Sequence, residues 1–142
     1  MTEEQIRLVK NSWKSFRQID AELIGDVFYS KLFLDTPKLQ KLFPAALQPQ
    51  QKKLVNMLHY IISRLDQPEV ITADIRALAL RHKGYGVKAE YYSLVGNALL
   101  WTIERGAGNE WNNTIKEAWL ACYTLLANTM MAATKPTATT KA

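Results

Sequence analysis

Apolar side chains in this chain return every three or four positions, in stripe after stripe, and that spacing is the period of an amphipathic α-helix. The first stripe is Ile6, Val9, Trp13 and Phe16, entered through Thr2 and Gln5, which stand at capping-box spacing. Leu23, Val27 and Leu32 lead on to Leu34, and Pro37 punctuates. Leu39, Leu42 and Phe43 then form a short apolar cluster closed by Pro44. Pro49 sits where the first turn of a helix tolerates it. It opens the wide stripe Leu54, Val55, Leu58, Ile61, Ile62 and Leu65, stopped by Asp66-Gln67-Pro68. Ile71, Ile75, Leu78 and Leu80 make the next stripe, ending at Arg81-His82-Lys83-Gly84, after which Tyr85-Gly86-Val87 turns the chain. Leu94, Val95, Ala98, Leu99 and Ile103 run to Gly106-Ala107-Gly108, and Ile115, Ala118, Trp119, Cys122, Leu125, Leu126 and Met130 form the last stripe. The spacing predicts six or seven helices in one all-α domain over residues 1–133. Residues 134–142 have almost nothing to bury and are expected to be a disordered tail.

Composition agrees and narrows the function classes. Gly (6) and Pro (5) make up about 8% of 142 residues, too few to turn an all-β chain at every reversal. No apolar run has the length of a membrane span, and the start Met1-Thr2-Glu3-Glu4-Gln5 does not resemble a signal peptide. Cys122 is the single cysteine, so an internal disulfide is excluded and a reducing, cytoplasmic setting is expected. The net charge is +5, but its longest basic runs are Lys52-Lys53 and Arg81-His82-Lys83. Nucleic-acid binders gather such charge on one face, so neither a nucleic acid nor a membrane is expected as partner.

Two histidines exist, and they sit differently. His82 follows Leu78, Ile75 and Ile71 by four, seven and eleven residues, which keeps all four on one helical face at about 3.6 residues per turn. It therefore ends an inward-facing stripe, either as a core histidine bonded to a backbone carbonyl or as an axial ligand to a metal or heme. His59 is nine residues beyond Gln50, about half a turn out of phase, and lies off the Leu54–Leu58–Ile61–Leu65 face. Two histidines on one metal are not expected. No Cys/His cluster has zinc spacing, no nucleophile elbow is present, and the carboxylates fall on solvent-side positions.

Tyr29 and Gln50 are polar residues beside the apolar runs Val27-Phe28 and Leu54-Val55, and each could donate a hydrogen bond to a ligand. Taken alone, Tyr29 could equally carry its hydroxyl at the surface, Gln50 could be a solvated first-turn residue, and Phe43 could be ordinary core.

In order and at these separations, Phe28-Tyr29-Ser30-Lys31-Leu32-Phe33, Pro37-Lys38-Leu39-Gln40-Lys41-Leu42-Phe43, Gln50-Gln51-Lys52-Lys53-Leu54, Leu80-Arg81-His82-Lys83-Gly84-Tyr85-Gly86-Val87, Tyr92-Ser93-Leu94-Val95-Gly96 and Ala118-Trp119 resemble a globin. The likeness spans about residues 3–131. It is nearest to single-domain bacterial globins and the heme domain of flavohemoglobins, and near His82 to neuroglobin. The resemblance implies a globin fold of six to eight helices around heme b, protoporphyrin IX iron, with His82 as proximal ligand. It implies Phe43 on the porphyrin face, Tyr29 and Gln50 as distal donors, Leu54 as apolar wall, and Val87 and Tyr92 at the cofactor. Lys53, Arg81 and Lys83 are expected near the propionates. Glutamine at the distal position, where neuroglobin has histidine, implies that a second histidine does not ligate the iron.

Donors beside O₂ on heme iron stabilise the charge it draws to its outer oxygen, and CO polarises less, so the resemblance implies tight, slowly released O₂. Flavohemoglobins continue into reductase domains and this sequence stops, so nitric oxide dioxygenation would require an external reductase. They also pair the proximal histidine with a tyrosine and a glutamate. Tyr92 matches the tyrosine, but Ala132-Ala133-Thr134 offers no carboxylate. The resemblance therefore turns His82 toward a backbone carbonyl near Leu78. Expected ligands are O₂, CO and NO, on a monomer or weak homo-oligomer. The alternatives are gas storage or sensing without catalysis, and a heme-free helical interaction module.

Overall fold

The computed structural model describes residues 1–43, 46–84 and 88–134, the side chains of 82–84 excepted. Six α-helices follow one another: α1 (Glu3–Trp13), α2 (Ala21–Asp35), α3 (Gln48–Ser63), α4 (Pro68–Gly84), α5 (Tyr91–Ala107) and α6 (Asn113–Thr134). Short 3₁₀ turns at Lys14–Gln18, Pro37–Leu42 and Gly108–Glu110 bend the chain between them. Among the described residues there is no strand, and no helix is long and apolar enough to cross a membrane.

Local chemistry explains where these helices start and stop. The Gln5 amide donates to Thr2 Oγ1 at 3.1 Å and the Thr2 amide to Gln5 Oε1 at 2.9 Å, the reciprocal bonds of a capping box. Asp20 caps α2 by accepting from the Glu22 amide at 3.1 Å. Pro49 lies in the first turn of α3, where its missing N–H costs nothing. Gly108 ends α5 at φ +55, a left-handed conformation that side-chain-bearing residues adopt only under strain. Helix α6 continues through Thr134, one residue into the expected tail. Residues 135–142, the turn at Tyr85-Gly86-Val87 and Pro44 lie outside the described residues.

Helix α1 packs across α6, α2 crosses both α3 and α5, and α4 lies on α6. The α1–α6 half of the core is aromatic. Trp13 stacks on Phe16 with ring centroids 4.9 Å apart and tilts against Trp119 at 5.7 Å. Each buried indole finds an acceptor: Trp119 Nε1 donates to Ser12 Oγ at 2.8 Å, and Trp13 Nε1 donates to His59 Nδ1 at 2.9 Å.

The stripes do not all face inward. Leu34, Leu80 and Leu23 are 77%, 59% and 57% exposed, and Leu125 is 40% exposed. Helical periodicity shows which residues share a face, not whether a neighbour covers it. Leu80 follows Leu78 by two positions, which swings it about 200° to the outer side of α4.

His59 faces α1, and its Nδ1 must be unprotonated to accept from Trp13. Burial, then the nearby Arg17 charge, hold its pKa below the ordinary histidine value. The unfolded chain therefore takes up this proton first. The contribution is fully present above the ordinary value near 6.5 and is lost as pH falls through the lowered folded value. A lower urea midpoint at pH 5.5 than at pH 7.5 is expected, and His59→Phe should flatten that difference.

Candidate functional site

Between these helices lies one cavity of about 360 Å³, walled by residues from α2, α3, α4, α5 and α6. Its lining is largely apolar; Tyr29 of α2 and Gln50 of α3 meet at one end, and Tyr91, Tyr92 and Tyr123 carry its other hydroxyls. Phe43, at the end of the 3₁₀ turn after α2, stands edge-on to Tyr29 with ring centroids 5.2 Å apart, and Phe33 and Phe28 pack around the same ring. Leu54, one turn beyond Gln50, closes the apolar side of that end.

Tyr29 is only 4% exposed, so its hydroxyl faces the interior and not solvent. Burial pushes its pKa up to about 12, and a side-chain hydrogen bond with Gln50 opposes that rise. The group is thus a neutral hydroxyl across the physiological range and keeps its proton to donate.

A close approach of backbones brings Tyr29 and Gln50 together. Gly25 is one turn before Tyr29, and a Cβ there would stand 2.5 Å from Gln51 Cβ and 2.8 Å from Gln51 Cα. Backbone atoms cannot swing aside as a flexible side chain can. Gly25→Ala is expected to force α2 from α3, destabilise the protein by about 1–3 kcal/mol and part Tyr29 from Gln50. A thermal melt with ligand-binding kinetics checks both effects.

The opposite wall comes from α4, α5 and α6. Leu78 lines the cavity from α4, one helical turn before His82. The His82 side chain and Val87 lie outside the described residues, and so does the expected bond from His82 to a carbonyl near Leu78. Tyr92 lines the cavity, half-buried, and burial raises its pKa. Tyr123 of α6 donates its hydroxyl to the Tyr92 carbonyl at 2.5 Å. Lys53 and Arg81 are exposed and are not among the described lining residues, and the Lys83 side chain is outside them.

Of the residues singled out from sequence, the cavity thus collects Tyr29, Phe43, Gln50, Leu54 and Tyr92. Tyr91, Met57 and Tyr123 also line it, and sequence reasoning passed over them. A signal was present: Tyr123, Leu126 and Met130 stand at i, i+3 and i+7, on one face of α6.

The family model for globins matches residues 26–130. An uncharacterised globin-like protein of Aquifex aeolicus is 32% identical over 133 residues, covering 92% of each chain. The flavohemoprotein of Vibrio cholerae is 25% identical over 89% of this chain, which spans 33% of that protein's length. Among solved structures, an engineered carbene transferase from Rhodothermus marinus, assigned as a nitric oxide dioxygenase, superposes with a TM-score of 0.83. It is 27% identical, over 93% of this chain and 92% of that one. A bacterial globin from Campylobacter jejuni shares the fold at a TM-score of 0.78, with 23% identity over 94% and 96% of the two chains. An all-α fold around a largely apolar cavity, the match over residues 26–130 and the likeness to a globin along nearly all of both chains lead to one conclusion: the chain belongs to the globin family, whose members hold heme and bind gas ligands such as O₂.

Proposed function

We propose that the cavity holds heme b, with His82 as its proximal ligand, and that the protein binds O₂ reversibly and with high affinity. The observation that carries this reading is that Tyr29, buried to 4% exposure, and Gln50 line the same largely apolar cavity beside Phe43 and Leu54. The lining suits a flat, largely apolar macrocycle: Phe43 offers a ring face or edge, Leu54, Leu58 and Val95 offer aliphatic walls, and no charged side chain is among the described lining residues. When bound, heme supplies an iron atom that takes a diatomic ligand. Tyr29 and Gln50 then donate to that ligand from a site where water does not compete. On the other wall, Leu78 places the α4 turn that leads to His82 against the cavity.

Within this reading, nitric oxide dioxygenation is the favoured activity. NO, O₂ and one electron give nitrate, and an external reductase supplies the electron. Likeness to flavohemoproteins and to the Rhodothermus marinus protein assigned as a nitric oxide dioxygenase supports it. The second reading, storage or sensing without turnover, is favoured by the proximal side, where no carboxylate stands at Ala132-Ala133-Thr134 to strengthen the push of the histidine.

The visible spectrum of the purified protein, ferric and dithionite-reduced, with and without CO, tests the heme reading. A Soret band that moves on CO addition, and is lost or altered in His82→Ala, is the expected result. A colourless protein that also refuses hemin would overturn it. For the activity, stopped-flow mixing of the oxygenated protein with NO should give nitrate rapidly, with turnover when a reductant is supplied. Slow oxidation without nitrate leaves the storage or sensing reading.

A further inference from the structure

Charge is divided unevenly along this chain. Residues 36–65 and 75–89 hold nine of the 18 basic residues and none of the 13 acidic ones, so the rest of the molecule is net negative. The 3₁₀ turn before Phe43, helix α3 and the C-terminal half of α4 come from these two stretches, and each of them lines the cavity. Folding turns the division into a place. Lys41 adjoins the lining residue Leu42, Lys53 adjoins Leu54, Arg81 lies three positions beyond Leu78, and Lys88 lies three before Tyr91. These four and Lys38 are exposed, so their charged ends stand where the cavity wall meets solvent. Lys38 Nζ lies 5.8 Å from the centroid of the Tyr91 ring, which sets the 3₁₀ turn against the start of α5 and joins these segments into one rim.

Little on the protein itself neutralises that rim. Lys52 is engaged by Glu22 at 3.1 Å, but the five rim cations have no ion-pair partner among the described residues. Of the acids that flank the two stretches, Asp35 is held by Lys31, Asp66 by Lys10 and Asp74 by the Tyr60 hydroxyl. Glu90 stands exposed beside Lys88.

We propose that this basic rim docks an acidic protein that delivers the electron, a flavin-bearing reductase. The inference rests on the reading of the cavity as a heme site fed by an external reductase. An electron passes between proteins only when donor and acceptor come close, so the donor has to dock where the cavity opens. Uncompensated cations around that opening attract an acidic face over about 10 Å at 0.1 M salt and steer it as it arrives. Where heme is bound, its propionates would offset charge at Lys53 and Arg81, which leaves Lys38, Lys41 and Lys88 for the partner. A contact made of exposed lysines is small and polar, so the complex is weak and exchanges fast, as turnover requires.

A flavodoxin, a small acidic flavin protein, serves as the probe. Its hydroquinone form, mixed with the ferric protein under CO, should reduce it at a rate that falls about ten-fold or more between about 20 mM and about 200 mM salt. Calorimetric titration with oxidised flavodoxin reads docking without any iron chemistry, and a Kd on the order of 10 μM is expected at the lower salt. Lys38→Glu with Lys41→Glu should weaken binding and slow reduction by about ten-fold. Lys14→Glu with Lys116→Glu makes the same change in net charge on the α1–α6 side and should leave both near the wild-type values. The dithionite-reduced CO spectrum should be the same in all three proteins. That spectrum tests the heme reading separately. Heme-loaded protein that does not bind flavodoxin, or the two double variants losing binding equally, would overturn the docking surface alone. So would duplex DNA that binds the rim more tightly than flavodoxin does at about 150 mM salt.

Discussion

Tyr29→Phe combined with Gln50→Leu is expected to speed O₂ release by about one to two decades while changing CO release much less. Each variant removes one donor from a ligand site walled by apolar side chains. At about 1–1.5 kcal/mol per hydrogen bond, the pair is worth about 2–3 kcal/mol, and about 1.4 kcal/mol is one decade. Discrimination follows from charge: O₂ on heme iron draws more charge to its outer oxygen than CO does, so donors hold O₂ more strongly. Because Tyr29 and Gln50 also hydrogen-bond each other, their effects should not add, and the double variant should fall short of the product of the singles. Stopped-flow ligand replacement on the four proteins measures this. An unchanged ratio of O₂ to CO release would remove the distal role of both residues while leaving the heme reading intact.

Trp13→Ala is expected to cost about 3–5 kcal/mol, the range for emptying a large aromatic site from a core. For a chain of this size that lowers Tm by about 10–20 °C. Trp13 is 1% exposed, stacks on Phe16, leans on Trp119 and donates to His59, so the variant opens a cavity and leaves the His59 Nδ1 without its donor. Ligand kinetics at temperatures where the variant is folded should barely change, because Trp13 lies on the α1–α6 side and not among the described cavity residues. Stability and binding should thus separate: Trp13→Ala moves the melt, and the distal pair moves the off-rate. A loss below 1 kcal/mol would mean that Phe16 and Trp119 collapse into the vacated space.

The two halves of the molecule also differ in how they could be read beforehand. The capping pair Thr2 and Gln5, Pro49 in the first turn of α3 and Gly108 past the end of α5 act within a few residues of themselves, so the helix ends could be read along the chain. The cavity set Tyr29, Phe43, Gln50 and Leu54 emerged only through likeness to a family. Each residue alone had an ordinary explanation, since side-chain spacing says nothing about what stands opposite. Leu80 and Leu34 show the same limit: they belong to apolar stripes, yet they remain 59% and 77% exposed.

The sequence by itself determined that the chain is helical, where α1, α3 and α5 begin or end, and that His82 ends an apolar stripe on α4, because helical period and capping are local physics. Tertiary structure alone decided that Tyr29 meets Gln50. That contact depends on α2 and α3 closing to backbone distance at Gly25 and Gln51, a consequence of two helices crossing that no spacing along one of them encodes. It also decided that His59 turns to Trp13, 46 residues away, because a hydrogen bond between distant segments exists only once packing has set both in place.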